Sequence, residues 1–316
     1  MKLSLSSKLT LFLISTILSI FFLEFQLRFW RIGADERNLL YNFHPELGWF
    51  PKKNFTGNFN GAAKRISINH NSSGFREIEF SELMKKKKRI LFLGDSFAYG
   101  YDSEVNERFS NIIGKDLQDY SIFNLGVSGY STDQELLLLK KYFDIIEPTS
   151  VYLLYHHNDY AGNSVNEIYN GYFKPYYKEH SDGLKLEGVP VRKGIRHLGF
   201  EYPTLYKSNI VKYITAQLLH QETFSKKFDE EITFELIAQM KKFVERKKST
   251  FKIGVVGNGE TPNLIDFLKK KNLDYLIIDG KDKDKADFTI SGHWSIKGNL
   301  RAASLIKDHL FENSGI

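Results

Sequence analysis

Arg89-Ile-Leu-Phe-Leu-Gly-Asp-Ser-Phe-Ala-Tyr-Gly100 is the stretch on which the fold turns. Residues 89–93 form an unbroken apolar run behind one arginine, as a strand buried on both faces does. Gly94-Asp95-Ser96 then ends the run, and small and aromatic residues follow. A serine at the C-terminal end of a buried strand lies at the rim of an α/β sheet, where open sheets place their ligands. If Ser96 is a nucleophile, the chemistry is ester or acyl transfer, and the rest of the chain must supply a base and an oxyanion hole.

Working outward, the same rhythm repeats. Further strands are expected at 120–125, 150–155, 251–256 and 274–278. Amphipathic helices are expected near 105–118, 131–146, 206–221, 230–248 and 262–271, with a last one over 295–312. Apolar strands alternating with helices predict a three-layer α/β/α domain around a mostly parallel sheet, spanning 88–316. Residues 160–204 break the rhythm with Tyr, Gly and charge, and read as an insertion near the site. Residues 32–87, rich in aromatics, Asn and Gly and holding alternations such as Arg65-Ile-Ser-Ile-Asn69, read as a small β-rich lead-in.

The N-terminus carries a separate signal. Lys2 and Lys8 precede a charge-free run over 9–23, close to the length of about 20 residues that spans a bilayer core. Phe25, Leu27, Phe29 and Trp30 prolong it, with Glu24 and Arg28 able to snorkel. No small-x-small cleavage site follows. Residues 1–31 are therefore expected to be a transmembrane signal anchor, with everything after Arg31 outside the cytoplasm; a cleaved signal peptide is the competing reading.

Composition excludes little but usefully. The net charge is +6, from 44 Lys+Arg against 38 Asp+Glu spread along the chain, which gives no footprint for nucleic acid. The run Lys85-Lys-Lys-Lys-Arg89 reads as a solvated approach to the first strand rather than a site for an anionic polymer or lipid headgroup. There is no cysteine, so thiol and disulfide chemistry are excluded. His156, His157 and Asp95 have no metal-binding spacing such as H-E-x-x-H, and Gly254-Val-Val-Gly257-Asn-Gly259 lacks the third spaced glycine of a dinucleotide fingerprint. Neither a metal nor another cofactor is expected.

Three strand ends and one loop then line up: Gly94-Asp95-Ser96; Asn124-Leu-Gly126-Val-Ser-Gly129; His156-His157-Asn158-Asp159; and Ser291-Gly292-His293-Trp294 ahead of the last helix. In this order the blocks resemble those of the SGNH (GDSL-type) hydrolases, named for a Ser, a Gly, an Asn and a His in four blocks. The resemblance covers roughly residues 88–312. Tyr41-Asn-Phe-His-Pro-Glu-Leu-Gly-Trp49 and Asn71-Ser-Ser-Gly-Phe75 are similar to the lead-in of membrane-anchored bacterial members. The G-x-S-x-G elbow of the α/β-hydrolases is absent.

The resemblance implies an SGNH/flavodoxin-like sheet, Ser96 as nucleophile and His293 as base. It implies an oxyanion hole from the N–H groups of Ser96 and Gly129 and the Asn158 amide, with Gly126 the alternative to Gly129. Two departures stand out. The family's acid, two or three residues before the histidine, is replaced by Ser291 and Ile290, so the nearest upstream acids are Asp287, Asp284 and Asp282. Asp287 reaches the imidazole if the loop folds back; otherwise a backbone carbonyl orients His293 in a dyad. His156 stands where many members have glycine.

Plainer readings exist for each residue. Ser96 and Asn158-Asp159 are also what turns after strands use, and His293 is also a histidine beside a helix N-cap. The resemblance, together with the expected anchor, implies an esterase acting on O-acyl groups, acetyl foremost, of a surface glycan or a lipid. The alternatives are a glycan O-acyltransferase with the same site, and a non-catalytic glycan-binding or assembly protein on a degenerate hydrolase fold.

Overall fold

A computed structural model describes residues 4–30, 37–61, 64–169, 171–219, 229–257, 263–279 and 284–312. Asp282, Gly259 and Arg31 lie outside the described residues. Five strands form the central sheet: β1 (Lys88–Gly94), β2 (Tyr120–Asn124), β3 (Ser150–His156), β4 (Thr250–Val256) and β5 (Asp274–Ile277). Every pairing in it is parallel, in the order β2-β1-β3-β4-β5. This doubly wound order reverses between β1 and β3, the topological switch point at whose carboxyl ends open α/β sheets place their ligands. Ser96 follows β1 and Asn158 follows β3, so both stand at that switch point.

The period of two explains why β1 is apolar over its buried residues 90–93. Leu91 and Leu93 face one layer with Val151, Leu153, Ile253 and Val255. Ile90 and Phe92 face the other with Ile122, Tyr152 and Leu154. Each such side chain contributes roughly 1.5–3 kcal/mol by leaving water. Helices longer than one turn are α1 (Leu5–Phe29), α2 (Phe109–Asp116), α3 (Thr132–Ile146), α4 (His157–Asn163), α5 (Asn209–Leu219), α6 (Glu230–Arg246), α7 (Leu264–Lys270) and α8 (Ile296–Phe311). Buried residues of α3, α6 and α7 pack on the first face, those of α2 and α8 on the second. The helix expected over 105–118 is split into a 3-10 turn, Val105–Glu107, and α2. Arg108 breaks it by taking extended backbone (φ −71°, ψ 137°) as its side chain turns inward to pair with Glu77.

The lead-in forms two antiparallel hairpins, Tyr41–His44 with Gly48–Pro51 and Thr56–Asn60 with Arg65–Asn69. Its Trp49, Phe59, Ile66, Ile68 and Phe75 are buried in the same core as Leu91 and Phe123. Arg76, also buried, donates to the carbonyls of Gly100 and Ser103, both at 2.8 Å, and so fixes the loop after Ser96 from below. The insertion contains two short hairpins, Glu167–Ile168 with Tyr172–Phe173 and Tyr176–His180 with Gly183–Glu187.

Helix α1 is long and apolar enough to cross a membrane by length and composition, and its most apolar 18-residue window is 0% buried. Its last turns are fastened to the rest of the chain. Glu24 accepts the N–H groups of Asn209 (2.9 Å) and Ile210 (3.0 Å) and the Ser208 hydroxyl (2.8 Å), capping α5. Arg28 donates to the Lys207 carbonyl at 2.8 Å.

Candidate active site

The end of β1 is shaped by two residues. At Gly94 a Cβ would stand 2.7 Å from the Ala98 Cβ and 3.0 Å from the Leu154 carbonyl oxygen, so only glycine lets the chain turn here. Asp95 then caps the single turn Ser96–Tyr99, its Oδ1 accepting the Phe97 N–H at 2.9 Å. Ser96 is left as the first helical residue, where the N–H has no intrahelical acceptor.

His293 arrives from the far end of the chain on a narrow loop. Phe288 and Trp294 form an antiparallel bridge, and the Thr289 N–H donates to the His293 carbonyl at 2.7 Å. Gly292, at φ +83°, takes the left-handed position that three-residue hairpin loops use. Trp294 pins the loop, donating through Nε1 to Asp279 at 2.9 Å. The His293 ring lies between Tyr101 (centroids 4.8 Å apart, planes at 29°) and Phe97 (5.2 Å, 43°). Its Nε2 stands 2.8 Å from Ser96 Oγ. Burial pushes the imidazole below its ordinary value of 6.5, while the charges of Asp95 and Asp102 pull it back up. The result is a neutral ring at neutral pH, with a lone pair for the serine proton.

The other ring nitrogen is where the sequence expectation needs correction. Asp287 does not reach the imidazole. Its carboxylate is buried on Arg301, with Nε at 2.7 Å, and its backbone carbonyl accepts the Ser295 N–H at 2.8 Å. Asp284 pairs with Lys297 at the surface. Nor does a carbonyl orient the ring. His293 Nδ1 meets Ser291 Oγ at 2.7 Å, and that hydroxyl is hydrogen-bonded to Asp102 Oδ2. Thr289 Oγ1 donates to the same oxygen at 2.8 Å. Asp102 is six positions beyond Ser96 and 189 before Ser291, and nothing in the local sequence marked it.

Asn158 is brought to the serine through Asp95: its Nδ2 donates to Asp95 Oδ2 at 3.0 Å, and the Ser96 hydroxyl lies 3.3 Å from that oxygen. Gly129 is buried on the neighbouring strand-end loop at φ +84°, where a Cβ would stand 2.9 Å from the ring of Tyr169 in the insertion. No hydrogen bond among the described residues engages its N–H. Gly126 instead packs against the backbone of Ala98 and Tyr99, where a Cβ would stand 2.6 Å from the Tyr99 nitrogen, and so serves close approach of the two strand ends. His156 lies against Phe97, centroids 4.7 Å apart, and His157 is exposed. Among the described residues no group of three or more His, Cys, Asp or Glu is placed to hold a metal ion.

A second acidic group, also missed in the sequence, lies on α3 and α4. Asp133, Glu135 and Asp159 are fully buried. Lys174 of the insertion forms an ion pair with Asp133 and donates to the Gly162 carbonyl at 2.9 Å. Neither Glu135 oxygen has a hydrogen-bond partner among the described residues. Burial, and after it the neighbouring charges of Asp95 and Asp133, raises the Glu135 carboxyl well above its ordinary 4.5; burial and Glu135 raise Asp159 likewise.

No family model matches this chain, and no curated protein matches it. Solved structures do. TesA is similar at 12% identity and a TM-score of 0.42, over 71% of this chain and 98% of that one. A GDSL-like lipase from Bacteroides thetaiotaomicron is similar at 17% identity and 0.42, over 72% and 90%. The psychrotrophic esterase EstA from Pseudoalteromonas sp. is similar at 11% identity and 0.43, over 72% and 98%.

Proposed function

We propose that this chain is a serine ester hydrolase working through an acyl-enzyme on Ser96. The observation that carries the reading is the 2.8 Å approach of His293 Nε2 to Ser96 Oγ at the switch point of the sheet. As Ser96 Oγ bonds to the ester carbonyl carbon, its proton passes to Nε2 and the carbonyl π electrons move onto oxygen. Collapse of that intermediate breaks the bond to the alcohol, which leaves with the proton from Nε2. Water then repeats the sequence on the acyl-enzyme and releases the acid. The N–H groups of Ser96 and Gly129 and the free hydrogen of the Asn158 amide supply the oxyanion donors.

The finer reading is an O-acyl, chiefly acetyl, ester of a surface glycan or lipid, handled outside the cytoplasm by a domain that α1 anchors. Its support is the four-block resemblance and the unburied apolar helix. The test is turnover of p-nitrophenyl acetate by the full-length chain and by Ser96→Ala. The variant is expected to lose essentially all turnover; equal rates would falsify the serine reading and favour a binding or assembly protein. Supplying a glycan acceptor with the acyl donor separates hydrolysis, which yields free acid, from transfer, which yields acylated glycan. Because burial lowers the His293 pKa, kcat/KM is expected to hold as pH falls through 6.5 and to drop only below it.

A further inference from the structure

We propose that the acid of this site has moved to Asp102 and acts on His293 through the Ser291 hydroxyl, giving a four-residue relay, Ser96–His293–Ser291–Asp102. This inference rests on the serine reading above. For Nε2 to accept the Ser96 proton, Nδ1 must carry the other ring proton, and Nδ1–H must find an acceptor. The acceptor at hand is Ser291 Oγ, 2.7 Å away. Ser291 can accept there only while its own hydrogen points elsewhere, and Asp102 Oδ2 takes it. Thr289 adds its hydroxyl to the same oxygen at 2.8 Å, which holds that carboxylate fixed relative to the loop.

Asp102 is 3% exposed, on the loop whose carbonyls Arg76 grips. Asp102 and Tyr101 therefore arrive on one rigid segment, the first reaching the relay and the second stacking on the ring. When Nε2 takes the serine proton, the imidazolium keeps its proton on Nδ1, and no proton moves to Asp102. The negative charge acts through one intervening hydroxyl, holding the tautomer and favouring the charged ring. Asp102 touches neither substrate nor reacting atoms, so Asp102 and Ser291 are positioning residues.

The relay differs from ordinary loop packing in what a rebuilt site would do. A carboxylate at position 291 would meet Nδ1 directly and make Asp102 dispensable. The experiment measures kcat/KM for p-nitrophenyl acetate against pH in the full-length chain for Asp102→Asn, Ser291→Ala, the double variant Asp102→Asn/Ser291→Asp, and Ser96→Ala, with thermal melts alongside. Asp102→Asn and Ser291→Ala are each expected to lose about 10²-fold at neutral pH. In Asp102→Asn the acid limb of the profile should shift to lower pH, because an anion that favours the imidazolium has been removed. The double variant should recover at least tenfold over Asp102→Asn.

Asp102→Asn within twofold of the parent, beside an inert Ser96→Ala, overturns the relay and leaves the serine reading standing. A folded double variant no more active than Ser291→Ala overturns it too, even if Asp102→Asn alone fails to fold. Full activity in Ser96→Ala removes the serine reading itself.

Discussion

Asp102 and Glu135 are both carboxylates at 3% exposure or less, and the protein treats them in opposite ways. Asp102 accepts two hydroxyls and, through one of them, communicates with His293. Glu135 has no donor on either oxygen among the described residues, and burial raises it well above the ordinary carboxylate value. Burial alone makes an acid neutral; donors aimed at it make it useful as an anion. The difference is decided by the neighbouring elements. The 289–293 loop presents hydroxyls to Asp102, whereas α3 and α4 set Glu135 beside Asp95, Asp133 and Asp159, with Lys174 already paired to Asp133.

The largest way to break this contrast is Lys174→Met. It removes the cation from a fully buried pair and should cost about 3–5 kcal/mol in denaturant unfolding. An unchanged midpoint would mean that Asp133 is already neutral in the parent and that the whole acidic group resembles Glu135. Next is Asn158→Ala, which removes the proposed oxyanion donor and one of the two hydrogen bonds to Asp95 Oδ2; kcat should fall by about 10²–10³, with little change in the melting midpoint. A fall in stability without a fall in kcat would make Asn158 a strut for Asp95 alone.

Smallest is Glu135→Gln, which keeps the shape and cannot ionise. The folded chain holds the Glu135 proton above pH 4.5, where the unfolded chain has released it, so the parent loses stability as pH rises from that value towards the raised one. The variant should unfold at higher denaturant than the parent at pH 8, by a margin that shrinks to nothing near pH 4.5. A gain that does not vary with pH would place its origin in packing.

The sheet was legible because its signal is local. Each strand of β1 to β5 lies within one residue of its expected bounds; for the central β1 and β3 the reason is that a strand buried on both faces shows a run of apolar residues. The helix over 105–118 was not legible, because the residue that breaks it, Arg108, does so by pairing with Glu77, 31 positions away. The lead-in read as a small β-rich segment, and hydropathy patterning within 32–87 does not reveal that Trp49 and Phe75 are buried in the main core.

In the site, Ser96, Asn158 and His293 could be singled out because strand ends and helix starts expose whatever follows them. The acid could not be found in the same way. Proximity in sequence favoured Asp287, but the short loop points the Asp287 side chain back beneath α8 onto Arg301. The sequence by itself therefore determined the alternation of strands and helices, the strand-end serine and asparagine, the histidine ahead of the last helix and the apolar N-terminal run. Tertiary structure alone decided that His293 turns to Ser291 and Asp102, and that Glu135 has no donor among the described residues. A hydrogen bond needs its partners within about 3 Å and aligned, and for residues 189 positions apart only the packing of α8 and the 289–293 loop against the Ser96 turn sets that distance.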